Sequence, residues 1–322
     1  MKKSSAAPGL AGVHLSDRGV AVATVRYQAE QPVLSYCEFA PAGNAERPQV
    51  LARLLAQEPL AGMRVSTLLN VGEFELQLIE APDVTPEELR AAVRWRIKDR
   101  LDFPLDEAVL DVFPIPGQQE RGRPPMVYVV AARQAQVKRY IDALETAGGD
   151  LCCVDIPELA QRNLAIRLAE DARGVAMLSL GPDAALLTLT CGGVLYLARE
   201  IDVGYRVLEG APPAREGKAG ALQLAESLSP DQRRALETLV LEVQRSLDYF
   251  ESHFGLAPIG HLVIAPTPRP IPAVLEYMGA NLGAAVRQLE LADIVDLEQT
   301  PDRIQQAECL LAIGVALRGL EA

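Results

Sequence analysis

The sequence predicts a two-lobed α/β protein in which a strand-turn-strand core is used twice and a small α/β unit is inserted into the first lobe. Its length of 322 residues is enough for about two domains. A hydrophobic content of 49% and a charged content of 23% are typical of a packed globular chain and exclude a disordered or fibrous one. Two similar strand-turn-strand units, one near the start of each half, indicate a duplicated architecture.

The first lobe is predicted to span residues 1–82 and to be rich in strands. Apolar runs separated by Gly, Pro and Asn indicate these strands, and Ser16–Gly19 indicates a tight hairpin turn. We expect a strand on each side of that turn within 12–26, further strands over 32–39, 65–69 and 73–80, and one short helix over 49–57.

An inserted α/β subdomain is predicted over residues 83–150. Thr85 can cap a helix, Pro86 suits its first turn, and two acids follow where the helix dipole favours negative charge. The helix is expected to run to about Leu101, with Val93 and Ile97 in a buried stripe. Strands over 108–113 and 126–131, a Gly/Pro-rich loop over 114–125 and a helix over 134–147 complete the unit.

Residues 151–173 are predicted to return to the first lobe, mostly as a helix over 156–170, and residues 174–322 to form the second lobe. The second lobe repeats the opening unit with two strands around the turn Gly181–Asp183. A long helix over 230–254 carries apolar residues at helical spacing, within a reduced subdomain around 205–254 that includes a surface loop over 210–220. The remaining expected elements are strands over 175–180, 185–190, 261–265 and 285–289 and helices over 271–282 and 305–320.

Charge and motif content exclude several classes of function. A net charge of −12 argues against nucleic acid as a partner, because phosphate binding requires a basic surface. The five cysteines lack zinc-type and CxxC spacing and are interpreted as reduced thiols, and the three histidines lack metal-ligand spacing. The acidic pairs Glu87–Glu88 and Asp106–Glu107 lie where helix capping or solvation explains them without acid–base catalysis. No GxSxG motif of a serine nucleophile occurs. We therefore predict no catalytic residue and no metal site.

No targeting or membrane-spanning segment is predicted. The N-terminal residues lack the apolar run of a signal peptide. The apolar stretch over 174–198 is broken by turns at 181–183 and 191–193, which leaves only strand-length runs. We expect a cytoplasmic protein with no direct membrane span.

Four stretches of the chain carry the pattern of a known family. The most specific is RAAVRWRIKDRLDFPLDEAVLDV at residues 90–112. It is followed by VVAAR at 129–133 leading into RYI at 139–141, by LVLEVQRSLDYFESHF at 239–254 and by AIGVALRGL at 312–320. These stretches resemble the PilM family of type IV pilus assembly proteins, most closely its branch in mannose-sensitive haemagglutinin (MSHA) pilus biogenesis. The similarity covers nearly the whole chain.

The resemblance implies an actin-like fold of the FtsA type, with two lobes around a cleft. In that superfamily two hairpin turns and a Gly-rich turn hold ATP, and an Asp in each hairpin strand organises Mg²⁺. Here His14 and Ser179 stand where those Asp residues are expected, and the third turn reads Ala-Pro-Thr-Pro at 265–268. The positions carried over as degenerate nucleotide turns are Ser16, Asp17, Arg18, Ser179, Gly181, Asp183, Ala265 and Thr267. We expect structural hairpins with no cofactor and no ATP hydrolysis, and binding of ATP with Mg²⁺ is the alternative.

The resemblance also implies a partner. In the family, the first lobe and its insert form a groove for the short cytoplasmic N-terminal peptide of an inner-membrane PilN-like protein. Carried over to this chain, the groove would involve Arg94, Trp95 and Lys98 of the insert helix. The alternative for Trp95 is that a neighbouring strand of the insert covers it.

The function implied is a non-enzymatic cytoplasmic scaffold of type IV pilus assembly, peripheral at the inner membrane through its partners. The partners expected are the PilN-like protein, the pilus assembly ATPase platform and further copies of the chain, in a ring or another homo-oligomer. Two alternatives stay open. One is an ATP-binding actin-like switch, and the other is the cytoplasmic part of a type II secretion assembly protein.

Overall fold

The computed structural model describes residues 9–116, 125–211 and 227–318. Strands and helices occur in nearly the order that the apolar patterns predict. The strands are β1 (Leu10–Ser16), β2 (Gly19–Gln28), β3 (Gln31–Pro41), β4 (Arg64–Leu68), β5 (Phe74–Glu80), β6 (Ala108–Pro114), β7 (Met126–Arg133), β8 (Asp150–Asp155), β9 (Val175–Leu180), β10 (Ala185–Cys191), β11 (Val194–Ile201), β12 (His261–Ile264), β13 (Ala285–Gln288) and β14 (Asp296–Leu297).

Most helices also lie close to the predicted ranges. The helices are α1 (Arg47–Leu55), α2 (Pro86–Arg96), α3 (Gln134–Thr146), α4 (Pro157–Ala165), α5 (Tyr205–Leu208), α6 (Pro230–Phe254), α7 (Pro272–Asn281), α8 (Arg303–Glu308) and α9 (Leu310–Ala316). The helix expected over 156–170 ends at Ala165, and α5 has no predicted counterpart. The helix expected over 305–320 is thus divided into α8 and α9, and its last two residues lie outside the described part of the chain. The predicted loops over 114–125 and 210–220 also lie largely outside it.

The two large sheets share a topology of five strands, to which the first sheet adds β14. The strand order is β14-β3-β2-β1-β4-β8 in the first sheet and β11-β10-β9-β12-β13 in the second. In each sheet three consecutive strands pair antiparallel, and two later strands add in parallel on the far side of the first strand. The repetition confirms the duplicated core that the sequence predicts.

The third sheet forms the inserted subdomain. Its order is β5-β7-β6 and both pairings are antiparallel. Helix α2 covers one face, where Val93 and Ile97 are fully buried in a cluster with Leu110 and Val129. The helix ends at Arg96 rather than near Leu101, because the chain tightens there into a short 3₁₀ turn.

Some elements join a sheet other than the one that their predicted range indicates. Strand β5 pairs with β7 of the insert, although 1–82 is predicted as the first lobe. Strand β14 pairs with β3, and α9 packs on β1, β2 and β4, although 174–322 is predicted as the second lobe. These pairings join distant parts of the chain, which no local pattern encodes. The boundaries of the lobes themselves stay a prediction.

Helices α4 and α9 lie between the two large sheets and share a core with strands of both. Two glycines allow a close approach there. A Cβ atom on Gly12 of β1 would lie 1.9 Å from the carbonyl oxygen of Ala312, and one on Gly314 would lie 2.3 Å from that of Ala160. These positions leave no room for a side chain, so α9 is held tightly between β1 and α4.

Helix α6 covers the second sheet and has clear signals at both ends. The Ser229 hydroxyl accepts the backbone N–H of Gln232 at 3.2 Å, and Pro230 is the first helical residue. The helix ends at Gly255, whose φ is 62°. Between these ends Phe250 is fully buried in the second-lobe core.

The insert also contacts the second lobe through Tyr128 of β7. Its ring stacks on Phe113 with ring centroids 5.1 Å apart. Its hydroxyl donates to the carbonyl of Tyr196 and accepts the N–H of Ala198, both at 3.1 Å. Burial raises the pKa of Tyr128, which keeps the hydroxyl protonated. One phenol therefore satisfies a donor and an acceptor of β11, the strand at the end of the second sheet.

Candidate functional site

Arg18 ties the first hairpin turn to two residues that are distant in the sequence. Its Nη1 atom donates to the Tyr205 hydroxyl at 2.8 Å and to Oε1 of Glu308 at 2.5 Å. Glu308 is buried and Arg18 is half-buried. Burial raises the pKa of Glu308, and the positive charge of Arg18 opposes that rise. The turn is thus held by a mostly desolvated, charge-assisted hydrogen bond.

His14, two residues before this turn, is a neutral imidazole. Burial lowers its pKa to about 4. Its Nε2 atom lies 3.0 Å from Oδ1 of Asn70, whose Nδ2 donates to the Tyr140 hydroxyl at 2.8 Å. Tyr140 donates in turn to Glu73 at 2.5 Å. The strand position that the resemblance equates with a metal-side Asp therefore holds an uncharged nitrogen, whereas Mg²⁺ prefers oxygen ligands.

The other two predicted positions of the first turn have no distant partner among the described contacts. Asp17 is exposed, and the Ser16 hydroxyl donates to the carbonyl of Gly19 at 3.4 Å, across the turn itself.

The backbone of residues 203–206 covers the second hairpin turn. The N–H of Gly181 donates to the carbonyl of Ala184, and its own carbonyl accepts the N–H of Tyr205, both at 2.8 Å. A Cβ atom on Gly204 would lie 2.1 Å from the carbonyl oxygen of Pro182. The covering segment therefore touches the turn directly, and only glycine fits at that contact.

Two side chains of this hairpin have different surroundings. Asp183 is exposed and accepts two hydrogen bonds from Nη1 of Arg206, at 2.9 and 2.6 Å. The Ser179 hydroxyl oxygen is buried and has no hydrogen-bond partner among the described residues. Exposed ion pairs contribute little to stability, but this one occupies the only carboxylate among the predicted positions of the second turn.

Two backbone groups of the third turn are paired within the protein. The N–H of Ala265 donates to the carbonyl of Leu178 at 2.8 Å. The Thr267 hydroxyl donates to the carbonyl of Arg269 at 2.6 Å, and the Thr267 carbonyl accepts Nε of Arg303 at 3.0 Å. The two prolines of this turn have no N–H to offer.

The structure connects the three predicted turns through α5 and α8. Arg18 of the first turn bonds Tyr205, which also holds the second turn. Thr267 of the third turn bonds Arg303 at the start of α8, and Glu308 at its end bonds Arg18. Tyr205, Arg303 and Glu308 are not among the residues that the sequence predicts for the site. No local signal identifies them, because each acts through contacts with distant segments.

A groove of about 410 Å³ lies between the insert, the first sheet and the second lobe. Asp111 and Val130 contribute from the insert sheet, β8 contributes its last residues, and Val194 contributes from the second lobe. Asp155 accepts Nη1 of Arg318 at 3.0 Å within this groove. Burial raises the pKa of Asp155, and Arg318 opposes the rise. The groove thus combines apolar side chains with a paired charge.

The predicted partner-binding residues lie on another surface. Trp95 is 71% exposed, which excludes the alternative that a neighbouring strand covers it. Arg94 donates through Nη2 to the carbonyl of Leu105 at 2.5 Å, and Lys98 is exposed. None of the three predicted residues lines the groove. Helix α2 covers one face of the insert sheet, and the groove is bordered by the alternate residues of β6 and β7.

The described residues contain neither a metal-binding cluster nor a helix suited to a membrane. Within 9–116, 125–211 and 227–318, no group of three His, Cys, Asp or Glu side chains is placed to hold a metal ion. None of the helices in these ranges combines the length and the apolar character needed to cross a membrane.

Several solved structures resemble this chain. A chain of the PilM–PilN type IV pilus biogenesis complex matches with a TM-score of 0.73 and 22% identity, over 98% of this chain and 99% of that one. The cytoplasmic domain of EpsL, an inner-membrane component of the Vibrio cholerae type II secretion system, has a TM-score of 0.49 and 13% identity, over 95% and 93%. A Bacteroides thetaiotaomicron protein with an actin-like ATPase fold has a TM-score of 0.50 and 8% identity, over 92% and 95%.

The first and third of these matches, together with the duplicated sheets, show that the fold is actin-like, as the sequence predicts. Comparison with protein-family models and with curated proteins gives no match.

Proposed function

We propose that the protein is a scaffold of type IV pilus assembly that docks the cytoplasmic N-terminal segment of an inner-membrane PilN-like protein. The observation that carries the proposal is the groove between the insert and the first sheet. Support comes from the fold, which matches a chain of the PilM–PilN complex over nearly its whole length. The sequence stretches that resemble the PilM family point to the same partner.

The groove suits an extended peptide. In the described sheets β6 and β8 are both end strands, so each has an outer edge that another strand could pair with. Phe113, Val130 and Leu159 supply apolar surface. Asp155 is already paired with Arg318, so this buried carboxylate does not need a charged partner from the peptide. Affinity would come from backbone hydrogen bonds and apolar contacts.

The three turns fit ATP and Mg²⁺ poorly, which supports a scaffold rather than an enzyme. Phosphates are held by free backbone N–H groups, and Mg²⁺ by carboxylates. The N–H groups of Gly181 and Ala265 are both bonded to carbonyls of the protein. His14 is neutral and bonded to Asn70. We therefore propose that the protein does not hydrolyse ATP.

Within the family we propose the MSHA branch, with the biogenesis protein MshI as the nearest counterpart. The four sequence stretches quoted above support this assignment. The proposal includes a cytoplasmic location at the inner membrane, held there by the PilN-like partner. It also includes contacts with the assembly ATPase platform and with further copies of the chain.

The groove is tested by the binding of a labelled peptide that copies the cytoplasmic N-terminus of the PilN-like partner. Val130→Trp fills the groove and should weaken binding at least about tenfold, or 1.4 kcal/mol. Val109→Trp is the matched control, because Val109 lies on the same face of the insert sheet, is 39% exposed and does not line the groove. Fluorescence anisotropy measures both variants. Equal affinity in the two would contradict the groove.

Trp95→Ala tests the surface that the sequence predicts. Loss of binding in this variant, with Val130→Trp unaffected, would move the peptide site to α2. Its unfolding midpoint should stay near that of the wild type, because a side chain that is 71% exposed contributes little to the core.

A thermal-shift titration with Mg-ATP and Mg-ADP tests the nucleotide-switch alternative. A ligand that binds only the folded state adds about 2.7 kcal/mol of stability at a hundredfold excess over its Kd. We expect a flat response at millimolar nucleotide. A saturable shift would contradict the scaffold proposal and favour a switch.

A further inference from the structure

The two lobes meet at a side-chain contact centred on Arg18. Arg18 belongs to the turn between β1 and β2, and Tyr205 follows β11 of the second sheet. The guanidinium donates to the Tyr205 hydroxyl at 2.8 Å, and its central carbon lies 5.8 Å from the centre of the Tyr205 ring. The same Nη1 atom bonds Glu308 at 2.5 Å. One cation thus joins three segments that are far apart in the chain.

Both partners of Arg18 are anchored in their own surroundings. Tyr205 is only 8% exposed, and its N–H bonds the carbonyl of Gly181 in the second hairpin. Glu308 ends α8, and Arg303 at the start of that helix bonds the carbonyl of Thr267 in the third turn. Neither partner can follow a movement of Arg18 without disturbing these contacts. A change in the distance between the lobes must therefore break the bond between Arg18 and Tyr205.

The charges make this contact costly to open. The side chain of Glu308 is 6% exposed, and the loss of its cation would leave a buried carboxylate without its ion-pair partner. Hydrogen bonds that involve an ionised group are also stronger than neutral ones. The bond to Glu308 orients the guanidinium, and the bond to Tyr205 links the two lobes.

We propose that Arg18 is an internal tether that holds the two lobes together through its bond to Tyr205. The tether does not depend on the peptide groove, which lies at other residues. The tether connects the turn of the first hairpin at Arg18 with the turn of the second hairpin at Gly181, by way of Tyr205.

The tether is tested by comparing Arg18→Ala with Lys138→Ala, without added ligand. Lys138 forms an exposed ion pair with Asp142 on α3 and serves as the matched cation control. We expect Arg18→Ala to increase the radius of gyration in small-angle scattering. Amide exchange should become about tenfold faster around Tyr205, the change expected for loss of one charge-assisted hydrogen bond. The control should match the wild type, and an unchanged Arg18→Ala would overturn the proposal.

A second variant keeps the test decisive if Arg18→Ala folds poorly. Tyr205→Phe retains the ring and the Arg18–Glu308 pair but removes the hydroxyl that links the lobes. It should also speed exchange at the turn Ser16–Gly19 while leaving the insert strands β5 and β6 unchanged. Faster exchange throughout the chain would indicate general destabilisation, and unchanged exchange would indicate no tether. Either result overturns the proposal.

Discussion

Gly314→Ala adds one methyl group where α9 crosses α4. The new Cβ would lie 2.3 Å from the carbonyl oxygen of Ala160 and 2.8 Å from its carbonyl carbon, whereas optimal contacts between heavy atoms are about 3.5–4.0 Å. The two helices must therefore move apart by about 1 Å or distort. Because the carbonyl of Gly314 also accepts Nδ2 of Asn163 at 3.0 Å, the same movement would stretch a buried hydrogen bond.

Two opposing effects set the magnitude of the change. Alanine is favoured over glycine inside a helix by about 1 kcal/mol. Overpacking of a tight core costs about 1–3 kcal/mol, and weakening of the buried hydrogen bond adds about 1 kcal/mol. The clash and the weakened hydrogen bond together exceed the gain in helix propensity. We therefore expect Gly314→Ala to lower the free energy of unfolding by about 1–3 kcal/mol.

Gly279→Ala is the matched control, since Gly279 lies in α7 and the atom nearest to its added Cβ is 3.9 Å away. This variant should gain up to about 1 kcal/mol. Urea unfolding followed by circular dichroism measures the free energy of unfolding of both variants. If Gly314→Ala proves as stable as Gly279→Ala, the reasoning from the close helix contact is refuted.

Tyr128→Phe removes the hydroxyl that bonds the carbonyl of Tyr196 and the N–H of Ala198. The free energy of unfolding in urea should fall by about 1–3 kcal/mol, because two backbone groups lose their partner. An unchanged free energy of unfolding would mean that water replaces the hydroxyl. Glu158→Gln removes an acid whose pKa burial raises to about 7. A raised carboxyl pKa stabilises the fold of the wild type at low pH, and that contribution is lost as the pH rises through 7. The stability of Glu158→Gln relative to the wild type should therefore increase from about pH 5 to about pH 8. A difference that does not change with pH would contradict the raised pKa. Phe250→Ala empties a fully buried site and should cost about 3–5 kcal/mol in the same assay, whereas a loss below about 1 kcal/mol would contradict its place in the core.

Local patterns predict the elements that local forces determine. Apolar residues at helical spacing predict helix α6, and the structure contains it at those residues. Its ends are also encoded locally, by Ser229 and Pro230 at the start and by Gly255 at the end. The two hairpins follow in the same way from apolar runs around short turns. Strand β8 escapes prediction, since its six residues lie between Gly149 and Pro157 and contain two adjacent cysteines without clear alternation. Its place is determined by pairing with β4.

The candidate site is less predictable because its contacts join distant residues. The sequence places Arg18 in a turn, but Tyr205 and Glu308 lie 187 and 290 positions away. Helical spacing correctly places Trp95 off the buried stripe of α2, and its side chain is exposed. The same spacing carries no information about the opposite face of the insert sheet, where Asp111 and Val130 line the groove.

The first sheet obtains its last strand and the helix between the sheets from segments that follow the whole second sheet in the sequence. Strand β14 pairs with β3, and α9 packs closely against Gly12. A ribosome releases the N-terminal strands first, and domains generally fold as units during synthesis. Here the N-terminal strands leave an apolar face open until α9 has been synthesised, which exposes the nascent chain to aggregation and to chaperones. A stop codon before α9 would prevent the first lobe from closing its core.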